Sequence, residues 1–471
     1  MVFSSLVFLC LFLPIVVALH TLVKNGTARN GILLTASLLF YAWGEPVWIL
    51  AMLFTTAVNY VCARIIHGAR TGLRRKLALT LGIGISLAAL VYFKYAAFLV
   101  NNLCAVAGSA YRMDTPKLPI GISFYTFQII TYTVDVYRNE APLQKNPLWL
   151  LLYVSLFPQL IAGPIVRYSD VAEAITDRQV TRAGIGEGFF RFSLGLGKKV
   201  LLANLCGEVL ETLPPAAEMS FFSGWLAAVL FLLQLYFDFS GYSEMAIGLG
   251  RMLGFRFLEN FDAPFISKSI SEFWRRWHIS LGTFFREYVY IPLGGNRVST
   301  GRWIINMAVV WGLTGIWHGA NWNFLLWGLY FGFLMVLERT VLRRALDRTP
   351  ALVRHIAVIF LAVVGFVLFH SESFADIGLQ FKAMFAPWTV PVSDPYAVYA
   401  VKSNPLLLTA CVLCSLPLRK SAVSWFDRRR KAGKKNALRP YGKALLTVVI
   451  FGLSLCFLVA QSFNPFLYFR F

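Results

Sequence analysis

LALTLGIGISLAALVYFKYAAF, residues 77–98, is a predominantly apolar run that makes a helix about 33 Å long at a rise of 1.5 Å per residue. That length crosses the roughly 30 Å hydrocarbon core of a bilayer. Just before it, RIIHGARTGLRRK (64–76) places Arg64, Arg70, Arg74, Arg75 and Lys76 in one short connection. A membrane-crossing helix flanked by a cationic loop is the unit from which the rest of the chain is read. Further runs of this kind lie near 30–46, 47–66, 147–166, 186–210, 221–238, 303–317, 322–341, 355–370, 404–418 and 443–461.

Composition agrees. Of 471 residues, 58% are apolar and 14% charged, against about 45–50% and about 25% in soluble domains. The mean hydropathy is +0.63. A soluble enzyme, a disordered chain and a nucleic-acid-binding domain are excluded, because each needs more charge on its surface. A transmembrane barrel does not fit either, since its strands alternate polar and apolar residues. The expected fold class is an all-α polytopic membrane protein with ten to thirteen crossings. The opening VFSSLVFLCLFLPIVVALHTLV has no basic n-region and no small-x-small cleavage site, so it is expected to be retained as a first span. The stretches 119–137 and 239–290 are apolar but interrupted by polar residues, and are expected to be short, broken or re-entrant helices.

The net charge of +21 would suggest nucleic acid in a soluble protein. Here the cations gather between apolar runs, ten of them from Arg419 to Lys443. That pattern fits cytoplasmic loops beside anionic lipid headgroups, and no nucleic-acid reading motif accompanies it. Placing 64–76 in the cytoplasm puts Lys24 and Arg29 there too, together with Arg343, Arg344, Arg348, Arg354 and the 419–443 loop. Both termini are then expected on the outer side. Seven cysteines lie mostly inside apolar runs, and Cys411-x-x-Cys414 reads as packing rather than as a redox or zinc site. No repeat relates the two halves, and no Walker, Rossmann or nucleophile-elbow motif is present. Gly241, Gly248, Gly250 and Gly254 read as close-packing positions.

Polar groups within apolar sequence mark candidate chemistry, because burying them is costly without partners. Two places qualify, Ser271 to Ser280 continuing to Asn296, and Trp311 to Trp322. They contain His278 and His318, forty residues apart. A neutral imidazole can take a proton from an attacking hydroxyl, which suits acyl transfer. His20, His67, His355 and His370 read as structural, since each lies near the end of an expected span. Two histidines with no third ligand at suitable spacing make a poor zinc site, so neither metal nor cofactor is expected.

Several strings occur in the order found in one family: GISFYTFQIITYTVDVYR (121–138), FPQLIAGPIVRY (157–168), QLYFDFSGYSEMAIGLGRMLGFRFLENF (234–261), SISEFWRRWHISLGTFFREYVYIPLGGNR (269–297), WGLTGIWHGANWNFLLWGLYFG (311–332) and AQSFNPFLYFRF (460–471). Together they resemble the membrane-bound O-acyltransferase superfamily, in the branch that holds the membrane subunits of alginate O-acetylation. The resemblance extends over nearly the whole chain and implies a single domain, 1–471, with a catalytic core at about 119–345. It implies a ring of helices around a central tunnel, where a cytoplasmic passage meets a funnel from outside. His318 matches the family's catalytic histidine in W-H-G-A, and His278 its second important polar position. Close relatives often carry a histidine where this chain has Phe331, so that position cannot be essential for chemistry here.

The expected function is transfer of an acetyl group from a cytoplasmic thioester, acetyl-CoA, across the inner membrane of a bacterium for O-acetylation of an exported polysaccharide such as alginate or cellulose. The expected partners are a periplasmic SGNH-hydrolase-like acetyltransferase, the polysaccharide export complex and membrane lipids, with no nucleic acid. Arg275, Arg276 and Arg286 are candidates for CoA phosphates, or equally for positive-inside topology. Trp274, Trp277, Trp317 and Asn321 complete the candidate donor site. Asp238, Ser240, Tyr242 and Glu244 either shape the inner cavity or form a buried polar network. Alternatives are peptidoglycan O-acetylation, teichoic-acid D-alanylation, and a non-catalytic transporter or scaffold.

Overall fold

A computed structural model describes residues 1–418, 439–461 and 467; most of the basic 419–443 segment therefore lies outside the described residues. Every regular element among the described residues is helical, with no strand. Among the described residues, five helices are long and apolar enough to cross a bilayer: Ile49–Gly68, Gly72–Val106, Phe221–Met252, Ala351–His370 and Pro440–Ala460. Pro395–Ser403 and Pro405–Ser415, bent by 69°, make a sixth if taken together. The protein is thus a multi-pass membrane protein. The other expected spans also coincide with helical segments that are shorter or less apolar, among them Gly26–Ala42, Thr300–His318 and Trp322–Thr340, while the polar-interrupted 119–137 stretch forms the unbroken helix Ile122–Arg138. Large apolar side chains such as Val106, Leu406 and Val448 are exposed on these helices, as lipid-facing positions must be.

Three boundaries differ from expectation. The 147–166 run is interrupted at Leu156, between Pro147–Ser155 and Phe157–Leu160. Pro158 has no N–H to donate to Val154, and its ring would collide with that carbonyl in a continuous helix. The 404–418 run is one limb of the bent pair, starting at Pro405. Conversely, the expected break after 238 does not occur, and Phe221–Met252 runs straight through its polar residues. The reason is pairing: Asp238 meets Lys199 at 2.7 Å, and Glu244 meets Arg191 at 2.6 Å. Each carboxylate is offset by a cation from the helical stretch that runs from Arg182 through the π-helical Lys198–Asn204.

The chain forms two compact units. One comprises Met1–Phe192 with Tyr242–Leu258. In it, Asn59 ties three helices together, donating to Ser86 Oγ (2.7 Å) and accepting from Thr133 Oγ1 (2.8 Å). Phe3, Phe8, Phe40 and Phe157 form its buried aromatic cluster. Gly248 belongs here and has no room for a side chain, since a Cβ would stand 2.6 Å from the Gly188 carbonyl oxygen.

The second unit comprises Ser193–Gly241 with Glu259–Phe471 and contains both candidate histidines. Its centre is the hairpin of Thr300–His318 and Trp322–Thr340. The two backbones touch at Gly315 and Gly328, where a Cβ would run into the facing main chain. Close approach of this kind gives dispersion contacts that hold helices together in lipid. Replacing Gly328 by Leu is expected to lower the thermal unfolding midpoint in detergent, with a cost of about 1–3 kcal/mol from overpacking. Gly301→Ala, at a position with no neighbour within 4 Å, is expected to leave it unchanged or raise it. Equal midpoints for wild type and Gly328→Leu would contradict this packing.

Candidate active site

The hairpin places His318 at the last position of its first helix, followed by the extended Gly319. The imidazole is 5% exposed and edge-on to aromatic rings, with centroids at 4.9 Å from Trp317, 4.9 Å from Trp327 and 5.1 Å from Phe369. His278 comes from the junction between Ile270–Arg276 and Ile279–Phe285. It is 2% exposed and packs on Phe239 at 4.6 Å and on Trp317 at 6.0 Å. Trp317 is therefore in ring contact with both imidazoles. Forty residues apart in sequence, the two imidazoles meet the same indole.

The backbone of His278 is unusual, with φ +46° and ψ +53°. A non-glycine residue in the left-handed region costs roughly 1–3 kcal/mol and persists only where the surroundings impose it. Here they do. Asn260 is fully buried, and its backbone oxygen accepts from Ile279 N at 2.9 Å. Its Oδ1 accepts from Ser280 N (3.1 Å) and Ser280 Oγ (2.9 Å), and lies 3.2 Å from His278 Nδ1. On the other side of the junction, the Ile270–Arg276 helix is anchored by Glu338. That carboxylate accepts from Ile270 N (2.7 Å), Ser271 N (3.0 Å) and Ser271 Oγ (2.6 Å), using the first, otherwise unsatisfied amides of the helix. The hairpin that carries His318 thus also fixes the helix that leads to His278.

The remaining candidates are distributed unevenly. Trp274 packs between Trp311 (4.9 Å), Trp327 (5.4 Å) and Phe331 (5.0 Å), and Trp277 lies against Phe261, Phe273 and Phe366. Arg275 is exposed. Arg276 is paired with Glu272 at 2.9 Å and Asp262 at 3.7 Å, and Arg286 with Glu287 at 2.6 Å. Both guanidinium groups would have to exchange carboxylate for phosphate to hold a donor. Asn321 is exposed and donates to the Glu372 carbonyl oxygen at 3.0 Å. Asp238 pairs with Lys199 and accepts from Leu467 N at 3.0 Å, a structural network; Ser240 is buried two residues on. Tyr242 belongs to the other unit, where it stacks on Phe3 at 4.6 Å.

Phe331 is completely buried among Trp274, Trp311, Trp327 and Phe366, a purely apolar setting. His20 faces Arg178 at 3.1 Å, His355 Nδ1 lies 3.2 Å from the Ser267 carbonyl oxygen, and His370 stacks near Phe231. Cys411 lies 3.5 Å from Cys206 rather than against Cys414, which is exposed. Among the described residues, no three His, Cys, Asp or Glu side chains gather at metal-binding range. Sequence reasoning missed Asn260, Phe239, Trp327, Phe369 and Glu338 as parts of the site. Asn260 and Glu338 carried a usable signal, a polar side chain inside or beside an apolar run.

Comparison with known proteins bears on what these residues serve. A sequence profile of the membrane-bound O-acyltransferase (MBOAT) family matches residues 52–375. A protein named as a probable alginate O-acetylase from Azotobacter vinelandii is 39% identical over the full length of both chains. A peptidoglycan O-acetyltransferase from Helicobacter pylori is 35% identical across 72% of this chain and 70% of its own. A teichoic acid D-alanyltransferase from Streptococcus thermophilus is 30% identical across 48% of this chain and 58% of its own.

Removing the Glu338 carboxylate leaves two helix-terminal amides without that acceptor. Glu338→Ala is expected to cost about 2 kcal/mol, read as a lowered unfolding midpoint, and Glu338→Gln distinctly less because an acceptor oxygen remains. Indistinguishable midpoints for the three proteins would refute the anchoring role.

Proposed function

The chain belongs to the membrane-bound O-acyltransferase family and is an O-acyltransferase; from that premise we propose that it carries acetyl groups from acetyl-CoA in the cytoplasm across a bacterial inner membrane for O-acetylation of an exported polysaccharide. The observation that carries this reading is the pair of buried imidazoles on Trp317, in a chain matched from end to end by a protein named as a probable alginate O-acetylase. The cationic loops favour an orientation with both termini on the outer side.

In this reading His318 removes the proton from an acceptor hydroxyl as its oxygen bonds to the acetyl carbon. The carbon–sulfur bond breaks, and the proton passes from the imidazolium to the departing thiolate, so no charge accumulates. His278, in contact with the same Trp317 ring, helps to orient the reactants. The aromatic enclosure excludes water that would otherwise hydrolyse the activated acetyl group. The thioester brings its own activation, so no cofactor or metal takes part. Arg275, together with Arg276 and Arg286 once released from their carboxylates, supplies guanidinium groups for the CoA phosphates. The immediate acceptor is a hydroxyl on a periplasmic partner of the SGNH-hydrolase type, which passes the acetyl group to the polymer. Peptidoglycan is the second acceptor to consider, because the peptidoglycan O-acetyltransferase relative matches 72% of this chain. D-alanine transfer is supported by a shorter match.

His318→Ala is expected to abolish polymer acetylation while the protein remains inserted at wild-type abundance, and His278→Ala to reduce it on the order of 100-fold or more. Normal acetylation by the His318 variant, assayed by ester content of the exported polymer, would end this reading.

A further inference from the structure

Asn260 stands eighteen residues before His278 in the chain and has no part in the reaction outlined above, yet it is completely buried beneath the histidine. The identity of its side-chain oxygen is fixed by a neighbour that has only one role. Ser280 N is a main-chain N–H and donates, so the atom 3.1 Å from it must be the acceptor Oδ1 and not the amide nitrogen. The same oxygen lies 3.2 Å from His278 Nδ1. Two lone pairs facing each other at that distance would repel, so Nδ1 carries the hydrogen. A neutral imidazole has one N–H, and its other nitrogen, Nε2, then holds the lone pair.

We propose that Asn260 is a positioning residue that locks His278 in the Nδ1–H tautomer and thereby makes Nε2 an acceptor toward the reactants. The same contacts hold the ring in place. Asn260 grips the residues on the C-terminal side of the left-handed turn through Ile279 N, Ser280 N and Ser280 Oγ, while Phe239 and Trp317 pack against the ring. The consequence is chemical. A neutral His278 in this tautomer has no N–H at Nε2 with which to polarise a thioester carbonyl; it accepts a hydrogen bond from an O–H or S–H group of the reactants. The inference rests on the reading that His278 serves acyl transfer, but the tautomer itself is open to measurement without any turnover.

The test uses full-length protein in lipid nanodiscs, labelled with ring-15N histidine, with His278→Asn identifying the His278 resonances by their loss. The expected spectrum has His278 protonated at Nδ1 and bare at Nε2. Asn260→Asp, which keeps an acceptor oxygen, is expected to preserve it. Asn260→Leu is expected to populate the Nε2–H form and to lower kcat roughly 100-fold with little change in KM. Ser280→Ala, which keeps the main-chain donor, is expected to leave the tautomer unchanged. An Nε2–H tautomer in the wild type would overturn the proposal, as would an unaltered tautomer in a folded Asn260→Leu protein. Should Asn260→Leu fail to fold, the wild-type and Asn260→Asp spectra decide alone. Full acetylation by His278→Ala would instead overturn the catalytic reading and leave the tautomer assignment standing.

Discussion

Two imidazoles buried among aromatic rings are the constraint around which the second unit is organised. Each takes a polar ring out of water, and that desolvation is unfavourable unless fixed partners replace the lost hydrogen bonds. For His278 the price includes a left-handed backbone, which Asn260 imposes from beneath. For His318 the support is packing, with Trp317, Trp327 and Phe369 around the ring. Gly315 and Gly328 bring the hairpin backbones close enough to form that wall. Glu338 joins the two histidine-bearing regions, because it sits on the second hairpin helix and anchors the helix that ends beside His278. A scaffold so constrained costs stability at several points and returns a defined geometry, which is what acyl transfer requires.

Much of this is legible in the sequence. Apolar runs such as 77–98 announce helices in lipid because no other open structure satisfies its backbone there. His278 and His318 stand out as polar residues in aromatic, apolar sequence, and both meet Trp317. What sequence could not show depends on partners distant along the chain. Asp238 and Glu244 looked like interruptions of a span, whereas Lys199 and Arg191 offset them and the helix continues to Met252. Tyr242 follows Asp238 closely in sequence, yet it stacks on Phe3 in the other unit. Leu156 lies in apolar sequence, and only the combination of Pro158 with helical geometry breaks the run there. Asn260 is the penultimate residue of the 234–261 stretch, but nothing in linear order connects it to an imidazole eighteen residues away.

The arginines illustrate the difference between charge and availability. Arg276 and Arg286 are already neutralised by Glu272, Asp262 and Glu287, so their positive charge is not simply waiting for phosphate. The Arg286 guanidinium is exposed, a pair of this kind contributes little to stability, and exchanging one anion for another there is correspondingly inexpensive. Arg275 has the exposure for an incoming polyanion. Arg276, by contrast, also holds the loop at Asp262 through that residue's carbonyl oxygen at 3.1 Å, giving it a structural task next to the histidine junction. The three cations are therefore unequal.

The central claim is that the two imidazoles in contact with Trp317 act together in moving one acyl group between compartments. It is tested most directly in proteoliposomes with isotopically labelled acetyl-CoA supplied on the cytoplasmic side and the acceptor protein on the other. The account predicts label on the acceptor in amounts matching the CoA released, and loss of both when residues 278 and 318 are replaced together by alanine. Label still reaching the acceptor at the wild-type rate in that double variant would contradict it.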